Sequence, residues 1–110
     1  MTQHTTIDRT EAYHRITDMI RCKWTLAILD AFDAGDRRPS EVLRRLPGLT
    51  DKVLADRLRK FEDFGLVTRE AFAEIPPRVE YTLTSRGKEL GILVRHVGRF
   101  VDEWASGDTA

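Results

Sequence analysis

Basic side chains are concentrated in one stretch of this 110-residue chain. Residues 37–60 contain eight lysines and arginines and three acids, a formal charge of 8 − 3 = +5, and the other residues carry −5 because the total is zero. A local basic face binds phosphate groups whatever the net charge of the protein. A solvated pair of helices that happens to be basic would carry the same charge, so the count leaves both interpretations open. The eight cations are Arg37, Arg38, Arg44, Arg45, Lys52, Arg57, Arg59 and Lys60.

Serine, cysteine and histidine often carry nucleophilic or metal chemistry, but they form no such motif in this chain. The only cysteine, Cys22, has no motif-paired histidine, and together with the three histidines it shows no metal-ligand spacing. No Gly-rich phosphate loop is present. Ser40 and Ser85 are typical helix-start residues. We therefore expect no enzyme activity, no cofactor and no metal site.

Cys22 is nevertheless a candidate redox residue. It lies between Arg21 and Lys23, at the predicted N-terminal end of the second helix, where cations and the helix terminus favour the reactive thiolate. Oxidation or alkylation of Cys22 is therefore one predicted signal. In the alternative interpretation, a small and slightly apolar residue is needed where the first helix turns into the second, and the thiol is buried and inert.

The composition is 41% apolar and 33% charged, which is typical of a soluble globular protein. The length fits one domain, which we expect over 1–110, with residues 1–6 disordered. The longest apolar run, residues 24–29, ends at Asp30 and is too short to span a membrane. The N-terminus has no apolar leader segment, so the cytoplasm is the default expectation.

Apolar spacing predicts three helices in the first half of the chain. They run from about 7 to 20, from 24 to 32 and from 40 to 46. Gly35 is expected to end the second helix, and Pro39 lies near the start of the third, where a missing N–H group is tolerated. The predicted inner face of the second helix consists of Trp24, Ala27, Ile28 and Phe32.

A fourth helix is predicted from Thr50, its N-cap, to about Phe64, after a break at Pro47-Gly48. At about 100° per residue its apolar side chains form one narrow stripe. Two helices joined by a tight turn, the second with a polar outer face, are a helix-turn-helix, expected here over 40–64. The stripe is Leu54, Leu58 and Phe61, and the opposite face carries Lys52, Asp56, Arg59 and Asp63, flanked by Ala55 and Lys60.

The sequence period then changes from helical spacing to alternation. Residues 67–72 and 78–83 alternate in polarity and predict a β-hairpin, the wing, over 66–83. Thr84 is the expected N-cap of a last helix over 85–105. Its apolar stripe is longer than one small core requires, so we expect an oligomer interface that it shares with the first helix. The stripe is Leu90, Leu93, Val97, Phe100, Val101 and Trp104.

Taken in order, the motifs of residues 12–104 resemble those of the HxlR-type winged-helix regulators of bacteria. Each motif alone is weak, but their order and spacing together are specific. They are Lys23-Trp24-Thr25-Leu26, the Pro47-Gly48 turn, Arg57-Leu58-Arg59-Lys60, Gly65-Leu66-Val67 before the wing, Pro76-Pro77-Arg78-Val79-Glu80-Tyr81-Thr82-Leu83-Thr84 after it, and Gly87.

The resemblance implies a mainly α winged helix-turn-helix with a small β-hairpin, and a homodimer that regulates transcription at an inverted-repeat operator. The recognition helix would enter the major groove, and the wing would lie along the backbone or minor groove. Two interpretations stay open for several residues: Arg57 contacts the DNA backbone or forms a structural ion pair, Asp56 accepts from a cytosine amine or repels phosphate, and Arg78 contacts DNA or supports the wing. The candidate DNA-contact residues are Thr50, Lys52, Ala55, Asp56, Arg57, Arg59, Lys60 and Arg78. The candidate dimer residues are Ile16, Ile20, Leu93, Val97, Phe100, Val101 and Trp104.

Two departures from the family pattern concern regulation. Members often carry a cysteine near the start of the first helix, where this chain has Glu11 and Ala12, and small residues before Lys-Trp, where it has Arg21 and Cys22. The first departure puts the usual redox switch of the family in doubt. Two alternatives to a plain DNA regulator remain: a winged helix whose basic face binds a protein, and a regulator gated by a small molecule at the dimer interface.

Overall fold

The computed structural model describes residues 8–107. Within that range the predicted order of elements and the mainly α class are confirmed, and both strands have the predicted bounds. The predicted disorder of residues 1–6 falls outside the described range. The elements are α1 (Arg9–Arg21), α2 (Thr25–Asp33), α3 (Pro39–Arg45), α4 (Asp51–Asp63), β1 (Val67–Phe72), β2 (Arg78–Leu83) and α5 (Ser85–Ala105).

The core lies beneath α4 and is formed by all five helices and the hairpin. The predicted stripe of α4 is buried: Leu54, Leu58 and Phe61 are each at most 3% exposed. Met19 of α1 and Ile28 of α2 are fully buried in the same cluster. The stripe therefore fixes which side of α4 faces solvent.

The inner face of α2 differs from the prediction. Ile28 and Phe32 are buried, but Trp24 and Ala27 are only half-buried, and Trp24 is the N-cap rather than the first helical residue. Helix α2 packs against α1, α3, α5 and β2, so it has no single stripe facing the core. The other buried residues of α2 are Thr25, Leu29 and Ala31.

The turn between α3 and α4 requires a glycine. Gly48 has φ = +97°, a conformation that side chains with a Cβ rarely adopt. At the other end of α3, the backbone N–H groups of Arg37 and Arg38 donate to the Glu41 carboxylate at 2.8 and 3.0 Å and lower its pKa. The hydrogen bonds to Glu41 therefore fix the start of α3, and the conformation of Gly48 fixes the turn that follows its end.

The hairpin is joined to the body of the protein along β2. Strands β1 and β2 pair antiparallel from Val67↔Leu83 to Phe72↔Arg78. The N–H of Tyr81 donates to the carbonyl of Arg37 at 2.7 Å, which ties the segment before α3 to the outer edge of β2. This bond sets the wing beside the helix-turn-helix.

Helix α5 has a buried side and an exposed side. Leu90 of the predicted stripe faces the core together with Val94, which lies outside that stripe, whereas the other residues of the stripe are exposed or half-buried. The exposed side chains are Leu93 at 47%, Phe100 at 67%, Val101 at 46% and Trp104 at 68%. Within residues 8–107, no helix combines the length and apolarity that crossing a bilayer requires.

A close backbone contact joins the start of α5 to the end of α4. Thr84 donates its hydroxyl to the carbonyl of Gly65 at 2.6 Å and its N–H to the carbonyl of Leu66 at 3.0 Å, and its Oγ1 accepts from the N–H of Gly87 at 3.0 Å. A Cβ at Gly87 would lie 2.2 Å from the oxygen of Leu66. The glycine of the family motif is therefore required by backbone packing.

We predict that Gly87→Ala lowers the free energy of unfolding by at least about 2 kcal/mol, because backbone must move to admit the methyl group. Gly91→Ala, one turn later in the same helix, is the matched control. A Cβ there meets nothing within 4 Å, so helix propensity should raise stability by up to about 1 kcal/mol. Denaturant unfolding at one protein concentration measures both. Equal effects of the two substitutions would contradict the contact.

Candidate nucleic-acid interface

The outer face of α4 is polar and exposed, as the helical spacing predicts. Thr50 is the N-cap, and its hydroxyl accepts from the N–H of Val53 at 3.2 Å. Lys52, Ala55 and Arg59 are exposed on the following turns. A small residue between two cations allows a close approach of another surface to the helix backbone.

Two cations of this face are available for binding. Lys52 has no ion-pair partner among residues 8–107, and Arg59 is 68% exposed, with its nearest carboxylate, Asp56, at 3.8 Å. Arg37 and Arg44 of the same basic stretch are also exposed and have no ion-pair partner within the described range. The arrangement leaves positive charge on the side of the helix-turn-helix that faces solvent.

Arg57 points into the protein. Its side chain is only 8% exposed, and its Nη2 lies 3.1 Å from Asp56 and 4.0 Å from Asp18. Its Nη1 is buried and has no hydrogen-bond partner among residues 8–107. Of the two interpretations that the sequence leaves open for Arg57, this geometry favours the structural ion pair.

Lys60 is held by a carboxylate that sequence reasoning missed. Its Nζ lies 3.3 Å from Asp18 of α1 and 3.9 Å from Asp56. Hydrogen bonds from Lys60 and Arg21 hold the pKa of Asp18 below its usual value. No local pattern predicts this contact, because the two residues are 42 positions apart in the sequence.

Arg78 supports the wing. Its guanidinium lies 2.9 Å from Glu74, 3.3 Å from Glu80 and 3.9 Å from the centre of the Phe72 ring, and the side chain is 25% exposed. The tip of the hairpin instead exposes Ile75 completely. These contacts favour the structural interpretation of Arg78.

Sequence reasoning also missed Arg69, since the charge count stops at the end of the basic stretch. This exposed arginine of β1 has no ion-pair partner within residues 8–107. It lies with Arg59 on a cleft of about 470 Å³ between α4 and the hairpin, whose other charged residues are Asp51 and Glu62. The sequence feature that could have identified Arg69 is its position in the strand that directly follows α4.

Cys22 lies elsewhere than predicted. It is the C-cap of α1, not part of the first turn of α2, because α2 begins only at Thr25, whose hydroxyl donates to the carbonyl of Met19 at 2.6 Å. The predicted location at a helix N-terminus is therefore wrong. The half-buried thiol lies on a cavity of about 340 Å³, which it shares with Lys52, Val53, Asp56, Arg57 and Arg59 of α4.

Comparison with known proteins agrees with this geometry. The HxlR-like helix-turn-helix family matches residues 19–109. An HTH-type transcriptional regulator of Synechocystis is 37% identical over 89 residues, which is 81% of this chain, and the chain spans 66% of the length of that relative.

Two solved structures of regulators have a similar fold. A transcriptional regulator of the MarR family from Enterococcus faecalis V583 superposes with a TM-score of 0.70 at 37% identity, over 97% of each chain. The redox regulator HypR, in its oxidised form, superposes with a TM-score of 0.67 at 30% identity, over 90% of this chain and 98% of its own. The chain belongs to the HxlR-like helix-turn-helix family of transcriptional regulators.

Proposed function

We propose that this chain regulates transcription as a homodimer that binds an inverted-repeat DNA operator. The observation that carries the proposal is the exposed outer face of α4, which lies beside the hairpin. Lys52 on this face has no ion-pair partner among residues 8–107, and the nearest carboxylate to Arg59, that of Asp56, is 3.8 Å away. Cations on an exposed recognition helix bind phosphates and guanine edges in the major groove. Binding to chromosomal DNA would place the protein in the cytoplasm.

Within this proposal seven of the eight sequence-derived DNA residues divide into two groups, and Asp56 stands between them. Thr50, Lys52, Ala55 and Arg59 face DNA. Asp56 lies at the edge of that face and either accepts from a cytosine amine or limits phosphate binding. The remaining cations, Arg57, Lys60 and Arg78, are engaged by carboxylates and orient the elements that carry the first group.

The exposed apolar side of α5 supports the dimer. Large apolar side chains that line one face of a terminal helix mark an interaction surface when several are exposed together. Phe100 and Trp104 are each about two-thirds exposed, at 67% and 68%. Half-buried Ile16 and Ile20 of α1 and Val97 of α5 complete the proposed interface. A two-fold dimer sets two recognition helices about 34 Å apart and matches a palindromic site.

An effector that acts at this interface is a second candidate function. An apolar groove of about 400 Å³ lies between α1, the end of α4 and α5, and includes Ile16, Phe64 and Leu93. Its volume is within the usual range for small-molecule sites. Such a ligand would modulate DNA binding rather than replace it. A redox role of Cys22 stays a prediction, and the redox regulator among the structural neighbours is the observation that keeps it of interest.

The other alternative, a basic face that binds a protein instead of DNA, differs in one measurable property. Phosphate contacts release counterions, so DNA affinity falls steeply as salt rises. A winged helix that binds only proteins would show no such binding to duplex DNA.

We predict that replacing Lys52 and Arg59 together by alanine lowers the salt slope of duplex binding by about two per protomer, and so by about four for a bound dimer, because each of these side chains would otherwise neutralise one phosphate. If either side chain contacts a base edge, sequence discrimination also falls, by about 1–3 kcal/mol. Fluorescence anisotropy across a salt series measures both effects. Arg86→Ala with Lys88→Ala, an equal charge change on exposed residues of α5, is the control. Unchanged affinity and slope in the α4 variant would contradict the placement of the recognition surface.

We predict that Arg57→Met lowers the free energy of unfolding by about 1–2 kcal/mol, because it leaves Asp56 without its closest partner and keeps most of the buried volume. Lys52→Met removes an exposed cation of the same helix and should change stability by no more than about 0.5 kcal/mol. Denaturant unfolding at equal protein concentrations compares the two. Equal free energies of unfolding for the two variants would contradict the structural role of Arg57.

We predict that Phe100→Glu converts the dimer to monomers at micromolar concentration and weakens DNA binding, while helical content is largely kept. The charge would have to be buried without a partner in the interface. Sedimentation measures the oligomeric state. Ile75→Glu places the same charge on the fully exposed wing tip and should leave the dimer intact. A native chain that sediments as a monomer at micromolar concentration would rule the dimer out.

A further inference from the structure

One carboxylate of α1, Asp18, makes polar contacts with α4. Oδ2 of Asp18 accepts from Nζ of Lys60 at 3.3 Å and lies 4.0 Å from Nη2 of the buried Arg57. Its Oδ1 accepts from Arg21 at 3.1 Å, which orients the carboxylate within α1. Asp18 thus contacts both basic residues on the flank of α4 that faces α1.

The surroundings of Lys60 differ from those of Lys52 and Arg59, the exposed cations on α4. Two carboxylates, Asp18 at 3.3 Å and Asp56 at 3.9 Å, flank its ammonium. Lys52, on the outer face of the same helix, has no ion-pair partner among residues 8–107. A phosphate that approached Lys60 would therefore meet two negative charges, whereas one that approached Lys52 would not.

The energetics indicate a role other than stability. Asp18 and Lys60 are 38% and 39% exposed, and ion pairs at that exposure contribute little to the free energy of folding. Asp18 is ionised at neutral pH even at its ordinary pKa, and the hydrogen bonds from Lys60 and Arg21 lower that pKa further, so the contact is present under ordinary conditions. Its removal should therefore change DNA binding more than it changes unfolding.

We propose that Asp18 is a positioning residue that holds Lys60 and the recognition helix against α1 and keeps this lysine away from DNA phosphates. The inference rests on the proposed DNA-binding function. Because α1 also carries Ile16 and Ile20 of the proposed dimer interface, the same contact relates the angle of the recognition helix to the dimer.

The test measures the salt slope of binding to a short random-sequence duplex. Lys60→Met alone should leave the slope unchanged, because the lysine makes no phosphate contact in the native chain. Asp18→Asn should raise the slope by about one per protomer, and so by about two for a bound dimer, because Lys60 then becomes available to a phosphate. The double variant Asp18→Asn, Lys60→Met should return to the native slope, and Asp18→Glu should keep it.

Asp30→Asn is the matched control. It removes a carboxylate of similar exposure, 46% against 38%, which pairs with Arg95 of α5, and it changes the net charge equally. Its slope should equal that of the native chain, and the unfolding midpoints of both variants should stay close to the native value.

The inference is overturned if Asp18→Asn and Asp30→Asn give the same slope, or if Lys60→Met alone lowers it by about one per protomer. If the native chain shows no salt-dependent binding to any duplex, the proposed function fails and the inference fails with it. If the Lys52 and Arg59 variant lowers the slope while Asp18→Asn leaves it unchanged, only the role of Asp18 is refuted.

Discussion

The burial of Leu54, Leu58 and Phe61 sets the rotation of α4 about its axis, and the remaining surface chemistry depends on that rotation. With these side chains at most 3% exposed, the opposite face must point to solvent, and it carries Lys52, Ala55 and Arg59. A different rotation would bury a cation or expose a phenylalanine, and either change costs several kcal/mol. The binding surface is thus a consequence of the core beneath it.

Two further sets of contacts join other helices to α4. At its C-terminal end, the bonds of Thr84 to Gly65 and Leu66, with Gly87 packed closely against Leu66, join α5 to α4. Along its flank, Asp18 joins α1. The helices proposed to form the dimer therefore both contact the helix proposed to read DNA, so the geometry of one surface restricts the other.

Sequence periodicity was sufficient for what depends on neighbours in the chain. The bounds of both strands, the Thr50 N-cap and the buried stripe of α4 follow from spacing and end chemistry, and the structure agrees with each. It was insufficient where burial comes from several sides, as for Trp24 and Ala27 of α2. Periodicity also could not predict a partner distant in sequence: the contact of Lys60 with Asp18, 42 positions away, is seen only in the structure. Charge counts could identify a basic segment but not which of its cations were already paired.

Hydroxyl-radical footprinting on the DNA that flanks the gene for this protein tests the central claim most directly, because it reports both contact and symmetry. A two-fold dimer with exposed recognition helices predicts two protected patches on one face of the duplex, related by a dyad and centred about 10 base pairs apart. Each patch should shrink or disappear when Lys52 and Arg59 are replaced together. A single unsymmetrical patch would contradict the dimer, and the absence of protection anywhere in that DNA would contradict the account of the binding surface.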